Sequence, residues 1–388
     1  VQFQQGRKRE VSGTDSKFKA IEDLLSEQNS KGFEDQNLPL WRIIVLNLGS
    51  TKESSSCYEY AITFVYHHVI ADGKSGQAIH YAILHELNSA TGNSYEDDRG
   101  AIVVPSAKTL LPSMDEIVSY RTSWLAWIQK ALPGFLQRET ALDRSRWAGE
   151  PHHIEDHPKT CIRLIGLSKD ATFNLVDLCR SHKTSMTALL QAVVGMTLFE
   201  NLPDAQQLRC ATAISLRRFL PSQAEINDSK IGLWIDGWHQ DFLRSKLLSK
   251  DAELHNVSWS ETVKNKARIN YEIAKGEYDL GFADLRGTSD FKPGLLGKLG
   301  KARENSYSIV NLGICENSGS EKSWKLNRMI ISQSAHVNGS AIQFCIVSTV
   351  LGGMMISLNW QDGTVTEEFT NKVVDSLEAN LLRLARFS

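Results

Sequence analysis

Apolar positions along the chain change their period several times, and each change marks an element. Over residues 16–28, Phe18, Ile21, Leu24 and Leu25 recur at the spacing of one helix face. Residues 40–46 and 57–66 are rich in β-branched and aromatic side chains, with a Ser/Thr/Lys-rich turn between them, which predicts two strands. Helical spacing returns over 75–89 through Ala78, Ile79, Ala82, Ile83 and Leu87. A loop is expected over 90–115, and then a tryptophan-bearing helix over 116–132, up to Pro133-Gly134.

The rest of the chain repeats the alternation. Residues 161–166 read as a strand, 171–180 and 186–199 as helices, and 209–216 as a strand. Thr184-Ser185 supplies caps for the second of these helices. Residues 241–303 mix helix and loop. Residues 341–350 and 354–360 form a hairpin-like pair about Gly352-Gly353, and a helix follows over 367–384. The polar stretch 147–158, with its glycine and two prolines, is the best internal boundary and divides the chain into 1–158 and 159–388. Strands interleaved with helices in both parts predict an α/β layered architecture.

Composition narrows the function. The 43 Lys+Arg nearly balance 45 Asp+Glu, a net charge of −2, which argues against non-specific nucleic-acid binding. With 23% charged residues and 9 prolines in 388 residues, the chain can bury a sizeable core. The six cysteines lie far apart without a Cys-x-x-Cys pair, so reduced thiols and a cytoplasmic setting are expected. The most apolar stretch, 188–199, is interrupted by Gln191 and falls short of the roughly 20 residues of a membrane span. Residues 1–10 are polar and basic, without the apolar centre of a signal peptide.

Common enzyme motifs are missing. No Gly-x-x-x-x-Gly-Lys-Ser/Thr occurs, Gly294, Gly297 and Gly300 have the wrong spacing for a dinucleotide loop, and there is no Gly-x-Ser-x-Gly elbow. One segment stands apart: His67-His68-Val69-Ile70-Ala71-Asp72-Gly73, where two histidines end an apolar strand and a helix follows. An imidazole exchanges a hydroxyl proton near neutral pH, and strand ends in α/β folds gather reacting groups. Gly73 is expected to permit a turn that a Cβ would obstruct. The bare pair also fits a structural role, and a metal pair of His68 with Asp72 has no evident third ligand. No metal is expected.

The complete pattern matches the His-His-x-x-x-Asp-Gly signature of the CoA-dependent acyltransferase superfamily, and the chain resembles its fungal alcohol O-acetyltransferase group most. Supporting stretches are 38–42 (Leu-Pro-Leu-Trp-Arg), 178–190, 215–221 and 308–313 (Ser-Ile-Val-Asn-Leu-Gly), in order over most of the chain. The resemblance implies two chloramphenicol acetyltransferase-like α/β domains with an active-site tunnel between them. The first, 1–158, has 66 residues ahead of its signature, fewer than relatives usually carry. His68 would be the general base that takes a proton from an acceptor hydroxyl and returns it to the departing CoA thiolate. Asp72 would hold the loop through an ion pair to Arg217, with His67 and Gly73 structural. Ser308, Asn311 and Ser348 are candidate donors to the oxyanion. The implied substrates are acyl-CoA, acetyl-CoA above all, and a small alcohol, with no permanently bound cofactor and a monomeric enzyme.

Two other readings stay open: a condensation-type domain that takes a carrier-bound thioester, and a non-catalytic descendant that binds ligand or protein. The plant enzymes' Asp-Phe-Gly-Trp-Gly motif is replaced by Ser357-Leu358-Asn359-Trp360-Gln361-Asp362-Gly363, which weakens a plant-type assignment. His152, His153 and His157 fit a solvated loop better than a metal cluster. Trp234 and Trp238 either line an acceptor pocket or pack in a core.

Overall fold

Six strands form one mixed sheet in the order β3-β8-β7-β6-β4-β5, and a separate hairpin, β1-β2, carries the signature. The computed structural model describes residues 14–35, 37–51, 54–89, 110–117, 145–154, 158–248, 257–275, 290, 292–316, 324–335 and 337–386. The strands are β1 (Trp41–Thr51), β2 (Ser54–Tyr66), β3 (Thr160–Gly166), β4 (Gln207–Ser215), β5 (Ile235–Leu243), β6 (Tyr307–Cys315), β7 (Ile342–Thr349) and β8 (Gly353–Gln361). The main helices are α1 (Thr14–Ser30), α2 (Gly73–Ser89), α3 (Lys169–Ser181), α4 (Met186–Asn201), α5 (Trp259–Lys275) and α6 (Glu367–Ala385). Of the loop expected over 90–115 and the helix expected over 116–132, only residues 110–117 are described, and a short helix, Met114–Ile117, starts there within the expected loop.

One face of the sheet is covered by helices. α4 is apolar all round and is buried from Ala188 to Phe199, as a helix of that pattern must be. Ser185 caps its first turn through Ala188 N–H. Its side chains share one core with Leu175 and Leu178 of α3, Leu377 and Leu381 of α6, and Tyr307, Phe344 and Leu358 of the sheet. β7 and β8 are buried along their whole lengths, so they read as continuous apolar runs rather than alternating ones.

The opposite face receives the N-terminal elements. Phe18, Ile21 and Leu25 of α1 pack on Ile162, Leu164 and Met355 of β3 and β8. α1 also serves the open edge of β3, where Leu164 N–H donates to Glu22 Oε1 at 2.8 Å. Arg42 of β1 donates to the Gln28 and Lys31 carbonyls at 2.8 and 3.1 Å, which ties the hairpin to the C-terminal end of α1. Next to it Tyr81 of α2 packs with Leu312, Cys315 and Val347 at the C-terminal ends of β6 and β7.

Two strands escaped the sequence pattern. β5 falls partly in a region expected to be helix and loop, and β6 was visible only as the Ser308–Gly313 stretch. β6 is irregular: its register with β7 shifts between Asn311 and Ile314, and Gly313 sits at φ 78°. Such a bulge needs the left-handed conformation that glycine accepts most easily. Among the described residues no helix is long and apolar enough to cross a membrane. The cysteines Cys161, Cys179, Cys210, Cys315 and Cys345 are free. His152, expected in a solvated loop, is buried, with Nδ1 2.6 Å from Val337 O. His157 lies outside the described residues.

Candidate active site

The signature forms the loop between β2 and α2. His67 is exposed, and its hydrogen bonds are those of a turn, with the Phe33 ring edge-on to its imidazole. Its N–H donates to Leu40 O at 2.9 Å and its Nδ1 accepts from Val69 N–H at 3.2 Å. His68 is half-buried, and among the described residues its ring makes no hydrogen bond. A neutral imidazole in that state keeps one nitrogen free to accept a proton.

Asp72 is the opposite case. Only 1% of it is exposed, and its carboxylate is ringed by donors. Arg217 grips it with two bonds, Nη1 to Oδ2 at 2.6 Å and Nη2 to Oδ1 at 2.9 Å. Trp234 N–H donates to Oδ2 at 3.1 Å. Ser75 N–H donates to Oδ1 at 3.0 Å, so the same carboxylate caps α2. Arg217 in turn lies 4.9 Å from the centre of the Trp234 ring. That indole is buried against Leu216 and Ile226, so core packing rather than a pocket lining accounts for it.

Three residues of this junction carried no recognisable sequence signal. The Ser75 hydroxyl lies 3.0 Å from Asp72 Oδ1, 2.9 Å from Gly232 O and 3.2 Å from Arg217 Nη2, and accepts from Gly232 N–H at 3.0 Å. Tyr66 donates its hydroxyl to Asp72 O at 2.8 Å. Burial first, and the Asp72 charge second, push that phenol far above its ordinary value, so it remains a donor. Lys74 reaches Leu312 O at 3.2 Å and Asp228 at 3.3 Å. Apart from Asp72, the partners Gly232, Arg217, Leu312 and Asp228 are all distant in sequence.

Gly73 serves packing rather than chain reversal. It has no positive φ, and a Cβ there would stand 2.8 Å from Leu312 Cδ2 and 3.2 Å from Ile331 Cδ1. The signature loop thus abuts the Asn311-Leu312-Gly313 stretch of β6. The three oxyanion candidates do not share one face of the sheet. Asn311 donates to Thr187 Oγ1 on α4 at 3.1 Å and accepts from Gly313 N–H at 2.9 Å. Ser348 stands two residues after Ile346, on the same face, and pairs with Met354, both of the helix-side core. Ser308 faces the other way, with Leu312 and the signature, and is half-buried.

This arrangement puts a free imidazole on a braced loop beside the C-terminal ends of the parallel strands β4, β6 and β7. The family model for alcohol acetyltransferase matches residues 9–381. The chain belongs to the alcohol acetyltransferase family. It is 27% identical over 374 residues to the Aspergillus fumigatus protein named probable alcohol acetyltransferase crmB, covering 94% of this chain and 77% of that protein. The Fusarium pseudograminearum protein named probable alcohol acetyltransferase FCK4 is 26% identical, over 98% of this chain and 78% of its own length.

Solved structures agree on the fold. The trichothecene 15-O-acetyltransferase TRI3 of Fusarium sporotrichioides superposes with a TM-score of 0.65 at 14% identity, over 94% of this chain and 73% of that one. The condensation enzyme VibH gives 0.53 at 15% identity, over 98% and 79%. The α/β fold class expected for the superfamily is therefore the one observed, and the family is one of acyltransferases.

Proposed function

We propose that the chain moves an acetyl group from acetyl-CoA to the hydroxyl of a small alcohol, with His68 as general base. His68 takes the hydroxyl proton as the alkoxide oxygen attacks the thioester carbonyl. The tetrahedral intermediate collapses with cleavage of the C–S bond, and the departing thiolate receives the proton from the imidazolium. A positioned base of this kind contributes roughly 10²–10⁴ in rate. No covalent acyl-enzyme is needed.

What supports the base is the contrast within the loop: a half-buried imidazole without a hydrogen bond among the described residues, four residues before a carboxylate bound on both oxygens. Asp72 cannot turn to substrate without abandoning Arg217. Its part is to hold the loop, and His68 is what the loop presents. None of the three oxyanion candidates is assigned that role: Asn311 is committed to Thr187 and Gly313, Ser348 shares the face of the helix-side core, and Ser308 lies about 13 Å along β6 from Leu312. Residues 1–158 and 159–388 would then hold the substrates between them.

The test is acetyl-CoA incubated with a panel of alcohols, with free thiol and ester both followed. Acceptor-dependent thiol release matched by ester is the expected result. Silence with acetyl-CoA, together with turnover of an acetyl thioester on a carrier protein, would instead establish a condensation-type donor.

A further inference from the structure

On the signature side of the six-stranded sheet, register neighbours form a row. It runs from Ile162 on β3 through Asn359 on β8, Gln343 on β7 and Ser308 on β6 to Ala211 on β4 and His239 on β5. Ile162 closes one end beneath α1, whereas His239 at the other end is exposed. The middle is polar and buried, with Gln343 3% and Asn359 0% exposed.

Buried amides in folded proteins almost always find partners. Here Gln343 Oε1 and Asn359 Oδ1 have none among the described residues, although they are paired neighbours on adjacent strands. Asn359 donates through Nδ2 to Gln343 O at 3.3 Å and Ser357 Oγ at 3.0 Å, which leaves its oxygen as the unused end. The Gln343 amide makes no side-chain hydrogen bond at either end among the described residues.

The row also lies at a telling distance. Ser308 is four residues before Leu312, against which Gly73 packs, and Ala211 is four residues before Ser215, whose hydroxyl meets Arg217. At about 3.3 Å per residue the β6 route places Ser308 about 13 Å along the sheet from the contact with Gly73, and the β4 route places Ala211 about as far from Ser215, beside Arg217. That is too far for the reacting carbonyl and within reach of the far end of a bound small molecule. Ala211 and the exposed Ala213 put no large side chain in the way on β4.

We propose that Gln343 and Asn359 form a recognition subsite for O–H or N–H groups of substrate, remote from the bond being made. The inference rests on the acyl-transfer reading and adds a substrate class to it. Two sources share this chemistry: a second hydroxyl of the acceptor, and the amide N–H groups along the pantetheine arm of acyl-CoA.

Calorimetric binding to the full chain separates them without requiring turnover. The probes are decane-1,10-diol, decan-1-ol and CoA, with wild type and Gln343→Met, which keeps side-chain length and removes both polar ends. If the acceptor is the source, wild type binds the diol about 10-fold tighter than the mono-ol and the variant loses that preference. If the CoA arm is the source, the variant binds CoA about 10-fold more weakly. In either case Tm stays level or rises, because the variant removes an amide without a partner among the described residues. Unchanged binding of all three probes would overturn the proposal, and a lowered Tm beside it would leave a structural amide. Binding selectivity in a protein that transfers no acetyl group would overturn the reaction and leave the subsite standing.

Discussion

His68 and Asp72 stand four residues apart in one loop, and their surroundings are opposite. The carboxylate is buried, charge-paired and bonded on both oxygens by Arg217, Ser75 and Trp234. The imidazole is half-buried and has no hydrogen bond among the described residues. The difference separates two tasks that one signature combines. On the proposed function, Asp72 fixes where the loop is, and His68 is left free for what the loop meets.

The fixed half of the comparison is the easier to break. Asp72→Ala leaves the Arg217 guanidinium buried without its anion, 2% exposed at the side chain. Destabilisation of about 3–5 kcal/mol is expected, read as a fall in chemical denaturation midpoint. Full stability with lost turnover would move Asp72 from scaffold to chemistry. Ser75→Ala comes next, since it strips a hydroxyl shared by Asp72, Arg217 and Gly232 and leaves the Gly232 N–H without that acceptor. A cost of about 1–3 kcal/mol is predicted by urea unfolding.

A pH titration separates the loop from the rest of the fold. Burial lowers the pKa of His152 below its ordinary value. The unfolded chain then binds the proton more readily, so His152 contributes stability above its unfolded pKa of 6.5 and loses it as pH falls toward the depressed folded value. The slope is at most about 1.4 kcal/mol per pH unit. His152→Gln should flatten the decline in Tm below pH 6.5; an unchanged slope would assign the acid sensitivity elsewhere. The smallest effect belongs to Tyr66→Phe, which removes the bond to Asp72 O and should cost about 0.5–1.5 kcal/mol in the same unfolding assay.

Local pattern made most elements legible. α4 announced itself by length, apolar content and the Ser185 cap, and β7 and β8 by continuous apolar runs about a glycine turn. β5 did not, because Asp236, Gln240 and Asp241 break its alternation on an edge strand. β6 hid behind its bulge at Gly313. In the site, the seven-residue signature was legible as a unit because its parts are contiguous. Ser75, Gly232 and Trp234 were not, since their meeting depends on contacts across more than a hundred residues. The reason for Gly73 was equally hidden: the side chain it makes room for is Leu312.

The most direct measurement compares wild type with His68→Ala, following acceptor-dependent thiol release from acetyl-CoA and thermal unfolding on the same preparations. The variant should unfold with the wild-type midpoint and release thiol about 10²–10⁴ times more slowly. Release at the wild-type rate would contradict the account.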